Sequence, residues 1–144
     1  IKEAEKEEPE EEEFDLSGKR ILLAEDNAIN RQVANEILQS SGVSVEPAGD
    51  GLEAVEKLWE GGYDAVLMDI QMPGMDGLKA TRILREYARF DNLPIIAMTA
   101  HAMRGDEERS FAAGMNAHLT KPIDVRELVF SLSRWGSAAR RNRK

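Results

Sequence analysis

Short continuous apolar runs alternate along the chain with segments whose apolar residues recur every three to four positions. The clearest run is Ala65–Val66–Leu67–Met68. It ends abruptly at Asp69 and soon gives way to Met72–Pro73–Gly74 and Asp76–Gly77. A short apolar run bounded by turn residues reads as a strand buried on both faces, and Pro-Gly and Asp-Gly do not continue a strand. Asp69 therefore falls at the carboxyl end of a central strand. Arg20–Ala24, residues 43–48, Ile95–Met98 and Ala117–Thr120 read as four further strands, with Pro47 marking an edge position.

Between the runs the period lengthens to that of a helix. Ile29, Val33 and Ile37 with Ala34 and Leu38 predict the first helix, with Asn27 as N-cap and Gly42 as the stop beyond it. Leu52, Val55, Leu58 and Trp59 mark a second, ended by Gly61–Gly62, and Leu78, Ile83, Leu84 and Tyr87 a third. A short polar helix over 105–114 has only Phe111 and Ala112 as anchors. The last helix carries Val125, Leu128, Val129, Leu132 and Trp135.

Five strands alternating with five helices predict an α/β fold: a five-stranded parallel sheet with helices on both faces and right-handed crossovers. The flavodoxin-like strand order 2-1-3-4-5 is the natural choice for this count, although the pattern alone leaves other doubly wound orders open. The domain is expected over 18–136. Residues 1–17 read as a disordered acidic linker: the first fifteen hold nine acids and two lysines. Residues 137–144 read as a disordered basic tail.

Composition removes several classes. There is no cysteine and there are two histidines, so thiol catalysis, disulfides and Cys- or His-rich metal sites are excluded. No apolar run approaches the roughly 20 residues of a membrane span, and the acidic start is the reverse of a signal peptide. The body of the domain is acidic, which argues against nucleic acid as its ligand. A reducing, cytoplasmic setting is the expectation. The start at Ile1 and the acidic linker suggest a piece cut from a larger protein.

The chemistry lies at the strand ends. In the 2-1-3-4-5 order Glu25 and Asp26, Asp69, Thr99 and Lys121 end neighbouring strands and share one edge. Each has an ordinary reading alone: a first-turn helix acid, a strand threonine, a loop lysine. Together they make three crowded carboxylates with one ammonium group. That set suits a hard divalent cation with oxygen ligands, Mg²⁺ or Mn²⁺, and an approaching phosphoryl group. Asp69 is placed to act as a nucleophile, while Thr99 donates a hydrogen bond and Lys121 supplies a point charge.

The segments ILLAEDN at 21–27, VLMDIQMPGMDG at 66–77, IIAMTAHAM at 95–103 and LTKPI at 119–123 carry a resemblance to the response-regulator receiver domain of two-component signalling. The resemblance covers about residues 19–135. It implies that Asp69 is the phosphoacceptor, that Glu25, Asp26, Asp69 and the backbone carbonyl of Gln71 serve Mg²⁺, and that Thr99 and Lys121 contact the phosphoryl group. It implies a cis bond at Lys121–Pro122. It also implies a switch in which Thr99 and the residue three positions before the lysine move together. That residue is His118 here, a departure from the commoner Tyr or Phe that puts the usual coupling in doubt. The output surface is expected at the fourth helix, fifth strand and last helix. Gln71 and His101 occupy the positions that tune phosphoryl lifetime in the family.

The wording AEDNAINRQVA, MTAHAM and LTKPID is similar to receivers fused to hybrid sensor histidine kinases, which makes an excised C-terminal receiver the leading expectation and a stand-alone receiver the second. The implied partners are a histidine kinase, a histidine phosphotransfer domain, or both, with neither nucleic acid nor membrane contacted by this segment. A membrane-bound parent kinase is compatible with that. The implied chemistry is self-phosphorylation and autodephosphorylation, any kinase activity lying outside this chain.

Three other classes compete. A haloacid-dehalogenase-type phosphatase needs an acid two residues after its nucleophile, where this chain has Gln71. A phosphorylation-independent interaction module would not need the full set of acids, Thr99 and Lys121. A dinucleotide or P-loop fold lacks its glycine motif here.

Overall fold

The computed structural model describes residues 16–100 and 104–142. The expected acidic linker over 1–15 and His101 lie outside the described residues. The elements alternate as β1 (Arg20–Ala24), α1 (Ala28–Gln39), β2 (Ser44–Ala48), α2 (Gly51–Glu60), β3 (Ala65–Asp69), α3 (Gly77–Arg85), a 3-10 turn (Ala88–Phe90), β4 (Ile95–Thr99), α4 (Arg104–Ala113), β5 (Ala117–Thr120) and α5 (Val125–Asn142). All strands are parallel, in the order β2-β1-β3-β4-β5. Pro47 lies on the edge strand β2, where its missing N–H breaks no ladder on the outer side.

The continuous apolar runs divide by alternation into two cores. Leu22, Ala24, Val66, Met68, Ile95 and Ala97 face Ala54, Leu58, Ala80 and Leu84 of α2 and α3. Ile21, Leu23, Ala65, Leu67, Ile96 and Met98 face Ala34, Leu38, Leu128 and Leu132 of α1 and α5. Burying both faces is what an uninterrupted apolar strand requires, and it leaves the strand ends as the only polar positions on the central strands.

The helices depart from the expected faces. In α1 the buried residues are Ala34 and Leu38, while Ile29 is 72% and Val33 43% exposed. In α2 Leu52 and Trp59 are exposed, and in α3 Tyr87, just past the helix end, is too. In each of the three helices the buried stripe joins small residues to one leucine, Leu38, Leu58 or Leu84. On α4 the expected anchors Phe111 and Ala112 are exposed, and Asp106, Ser110 and Ala113 are buried instead.

The ends differ as well. Leu16, inside the expected linker, is buried in the second core, and the Lys19 amide donates to its carbonyl. A lone apolar residue in an acidic run has no periodicity to reveal it. At the other end α5 continues to Asn142, through the segment expected to be a disordered tail; its Ala and Arg residues are strong helix formers.

Candidate functional site

Asp69 closes β3 and is 4% exposed, one register step from the carboxyl ends of β1 and β4. Two residues later the chain turns, and the Gln71 amide donates to Asp69 Oδ1 at 3.0 Å. The turn leads into α3, capped by Asp76, whose side chain accepts from the Lys79 amide. Gly77 is forced at the start of α3: a Cβ there would collide with the Asp69 carbonyl oxygen and the Met68 side chain. Gly51 answers a similar demand from α2, where its amide donates to the Met75 carbonyl at 2.9 Å and a Cβ would strike that oxygen.

Next along the edge, β1 delivers Glu25 and Asp26. Asn27 caps α1 by accepting from the Asn30 amide, as its position suggested. Glu25 is 2% exposed and Asp26 exposed. On the other side β4 ends at Thr99, 3% exposed, and β5 runs on through Thr120 to Lys121 and the cis Lys121–Pro122 bond.

Lys121 crosses the site and joins its parts. Its Nζ donates to Asp69 Oδ2 at 2.7 Å and to Glu25 Oε1 at 2.6 Å. The other Glu25 oxygen accepts from the Asn27 amide at 3.1 Å. Burial pushes the Glu25 carboxyl up, further than the bonds from Lys121 and the Asn27 amide pull it down, and nearby Asp69 adds to the rise. Burial also works to lower Lys121, but its hydrogen bonds to Asp69 and Glu25 outweigh that and hold its ammonium group above the ordinary lysine range.

Glu25, Asp26 and Asp69 each offer one oxygen within 4.8 Å of the others. One ammonium group neutralises part of that charge. A donor set of hard oxygens only, with surplus negative charge and one exposed member, fits a hard divalent cation. The strand ends thus bring together five of the expected residues, Glu25, Asp26, Asp69, Thr99 and Lys121. Gln71 is exposed, with its amide directed at Asp69.

His118 sits on β5 away from that edge. Its Nδ1 lies 3.3 Å from Ser110 Oγ, and that hydroxyl gives its own proton to the Asp106 carbonyl. With that proton committed, the hydroxyl is placed to accept from Nδ1–H. Nε2 is buried without a partner among the described residues. The imidazole therefore ties β5 to α4, a role that a Tyr or Phe ring would not fill in the same way.

Two features were missed in the sequence. Ile29 and Val33 form an exposed apolar face on α1, and Val33 lines a groove of about 280 Å³ together with Asn30, Ala34, Pro122 and Ile123. Arg31 donates to the Glu25 carbonyl at 2.7 Å. For Arg31 a signal existed: it follows the N-cap Asn27 by four residues, and helix side chains lean back over the preceding turn.

No helix among the described residues is long and apolar enough to cross a membrane. A family model described as the response regulator receiver domain matches residues 21–133. The sensor protein GacS of Pseudomonas syringae pv. syringae is 39% identical over 126 residues, covering 85% of this chain but only 14% of that protein. Among solved structures, the receiver domain of sensor histidine kinase PA1611 from Pseudomonas aeruginosa PAO1, with a magnesium ion coordinated in its active site cleft, is 43% identical. It aligns over 84% of this chain and 99% of that one, with a TM-score of 0.77. The complex of the Saccharomyces cerevisiae phosphotransfer protein Ypd1 with the receiver domain of the response regulator Ssk1 gives 28% identity over 85% of this chain and 91% of that one, with a TM-score of 0.75.

Proposed function

The chain belongs to the response regulator receiver family, and on that premise we propose that it accepts a phosphoryl group from a phosphohistidine onto Asp69 in a cytoplasmic phosphorelay. The observation that carries the reading is Asp69 itself, a buried carboxylate at a strand end, bonded to Lys121 and grouped with Glu25 and Asp26. A buried acid cluster with one partly compensating cation is costly to fold, so it is better explained by use than by stability.

In the reaction an Asp69 carboxylate oxygen attacks phosphorus, the O–P bond forms, and the N–P bond breaks with its electron pair returning to the donor imidazole. Asp69 becomes a mixed anhydride and loses its own charge as the donor imidazole, protonated at its other nitrogen, leaves neutral, while the transferred phosphoryl group brings its negative charge into the site. Lys121 already touches Asp69 and follows that charge. Thr99, at the end of the neighbouring strand, is the hydroxyl donor for a second phosphoryl oxygen. Glu25, Asp26, Asp69 and the Gln71 carbonyl are the groups that would hold Mg²⁺, which neutralises phosphoryl charge when bound. Hydrolysis of the anhydride by water, tuned by Gln71 and His101, returns the carboxylate. Thr99 and His118 are the switch positions, and α4, β5 and α5 the surface they address.

The donor is a histidine kinase or a histidine phosphotransfer domain. A donor must lie against the rim of the site to bring phosphorus within reach of Asp69, and the exposed Val33 in the groove, with exposed Ile29 one turn before it, supplies an apolar seat there. The likeness to GacS, of which the matched stretch is a small part, supports a hybrid sensor kinase as the parent.

Intact-protein mass after incubation with acetyl phosphate tests the reading. We expect a Mg²⁺-dependent gain of one phosphoryl group that Asp69→Asn abolishes. A gain retained in Asp69→Asn, or no gain from either acetyl phosphate or a phosphohistidine donor, overturns it.

A further inference from the structure

Glu25 is held at every polar point it has. Its amide donates to the Ala48 carbonyl at the end of β2 at 2.9 Å, and its carboxylate is shared between Lys121 and the Asn27 amide. The remaining point is its carbonyl, and Arg31 Nη1 takes it at 2.7 Å. That carbonyl lies in the peptide plane that leads to Asp26, so pinning it sets the direction from which the Asp26 side chain leaves the backbone. Arg31 reaches it because α1 begins at Ala28 behind the Asn27 cap, placing residue 31 one turn in, with its side chain leaning back over the acidic loop. The Arg31 charge also acts on Glu53 of α2, which itself accepts from the Gly49 amide at 2.8 Å in the loop after β2.

We propose that Arg31 is a positioning residue for the cation site: its bond to the Glu25 carbonyl fixes how the Glu25 and Asp26 carboxylates stand toward Asp69. This rests on the reading that these acids hold Mg²⁺. A cation beside a metal site has two opposed effects, and their signs separate them. By charge alone Arg31 repels Mg²⁺, so its removal tightens binding. By positioning it organises the ligands, and losing an outer-shell partner of a metal ligand weakens binding by about tenfold or more. With the hydrogen bond direct and Arg31 half-buried, positioning wins.

Isothermal titration of the non-phosphorylated protein with MgCl₂ reads this without any turnover. We expect Arg31→Ala to raise the Mg²⁺ dissociation constant about tenfold. Arg31→Lys, which can still donate to the carbonyl, should recover most of the loss. Thermal unfolding of each variant in the absence of Mg²⁺ establishes that both are folded. Unchanged or tighter Mg²⁺ binding in Arg31→Ala overturns the proposal, including the case where only the melting temperature falls. If the wild type binds no Mg²⁺, the cation-site reading fails together with it. If the wild type binds and Arg31→Ala binds equally, the positioning role alone fails.

Discussion

Lys121 serves two buried carboxylates with one ammonium group, and neither Glu25 nor Asp69 has water enough to do without it. Removing one partner from a buried ionic group leaves charge uncompensated, so Lys121→Met is expected to cost about 3 kcal/mol at neutral pH. The pH dependence of that loss has a definite sign. Burial already raises Glu25 and Lys121 opposes it, so the variant's Glu25 is raised further. An acid raised in the folded state binds more protons folded than unfolded, and stability then falls as pH rises through that window. Acidification should therefore stabilise Lys121→Met relative to wild type. Urea unfolding at about pH 7 and about pH 5.5 checks it, with the gap between variant and wild type narrowing at the lower pH. In the wild type the raised Lys121 contributes fully below the ordinary lysine pKa and loses its contribution only as pH climbs through its higher folded value.

One element, the β3–α3 connection, fixes Asp69 with backbone as much as with side chains. A Cβ at Gly77 would strike the Asp69 carbonyl, whereas one at Gly74, at φ +70°, would meet open space. Gly77→Ala is expected to destabilise by about 2–3 kcal/mol through steric conflict and to slow phosphorylation by acetyl phosphate. Gly74→Ala should cost about 1 kcal/mol for its left-handed backbone and spare phosphorylation. Urea midpoints and initial rates of mass gain on both variants separate strain at the acceptor from strain in the loop. Strands and caps of this kind were legible in the sequence because their signals are local: an apolar run stopped by Asp69, an Asn at position 27 before a helical period. Helix orientation was not. Periodicity identifies α1, but Ile29, Val33 and Ile37 compete with Ala34 and Leu38 for the inward face, and the pattern alone does not say that Ala34 and Leu38 are the pair that packs on the sheet. The acids, Thr99 and Lys121 could be placed because strand ends align in a parallel sheet. Arg31 carried one signal, its place one turn past the Asn27 cap, but its type alone does not distinguish a loop clamp from a solvated helix arginine.

Across the whole molecule, one sheet separates two cores, and every central strand contributes to both. Leu67 and Met68 are neighbours in β3 yet pack on opposite sides, each shielded completely from solvent. Neither layer has a sheet of its own, so the layers cannot melt apart. Leu67→Ala is expected to cost about 3 kcal/mol, and far-ultraviolet circular dichroism and tryptophan fluorescence should still report coincident unfolding curves. Separated curves would show that one layer survives without the other. The same sheet has a consequence for when the protein becomes competent. Lys121 follows β5, an edge strand and the last to be made, while Asp69 lies midway along the chain. During synthesis Asp69 emerges long before the lysine that completes its surroundings. A half-made chain holds an aspartate like any other, and so does one whose edge strand has come away. On the proposed reading, an aspartate that can carry a phosphoryl group thus reports a chain folded through its fifth strand.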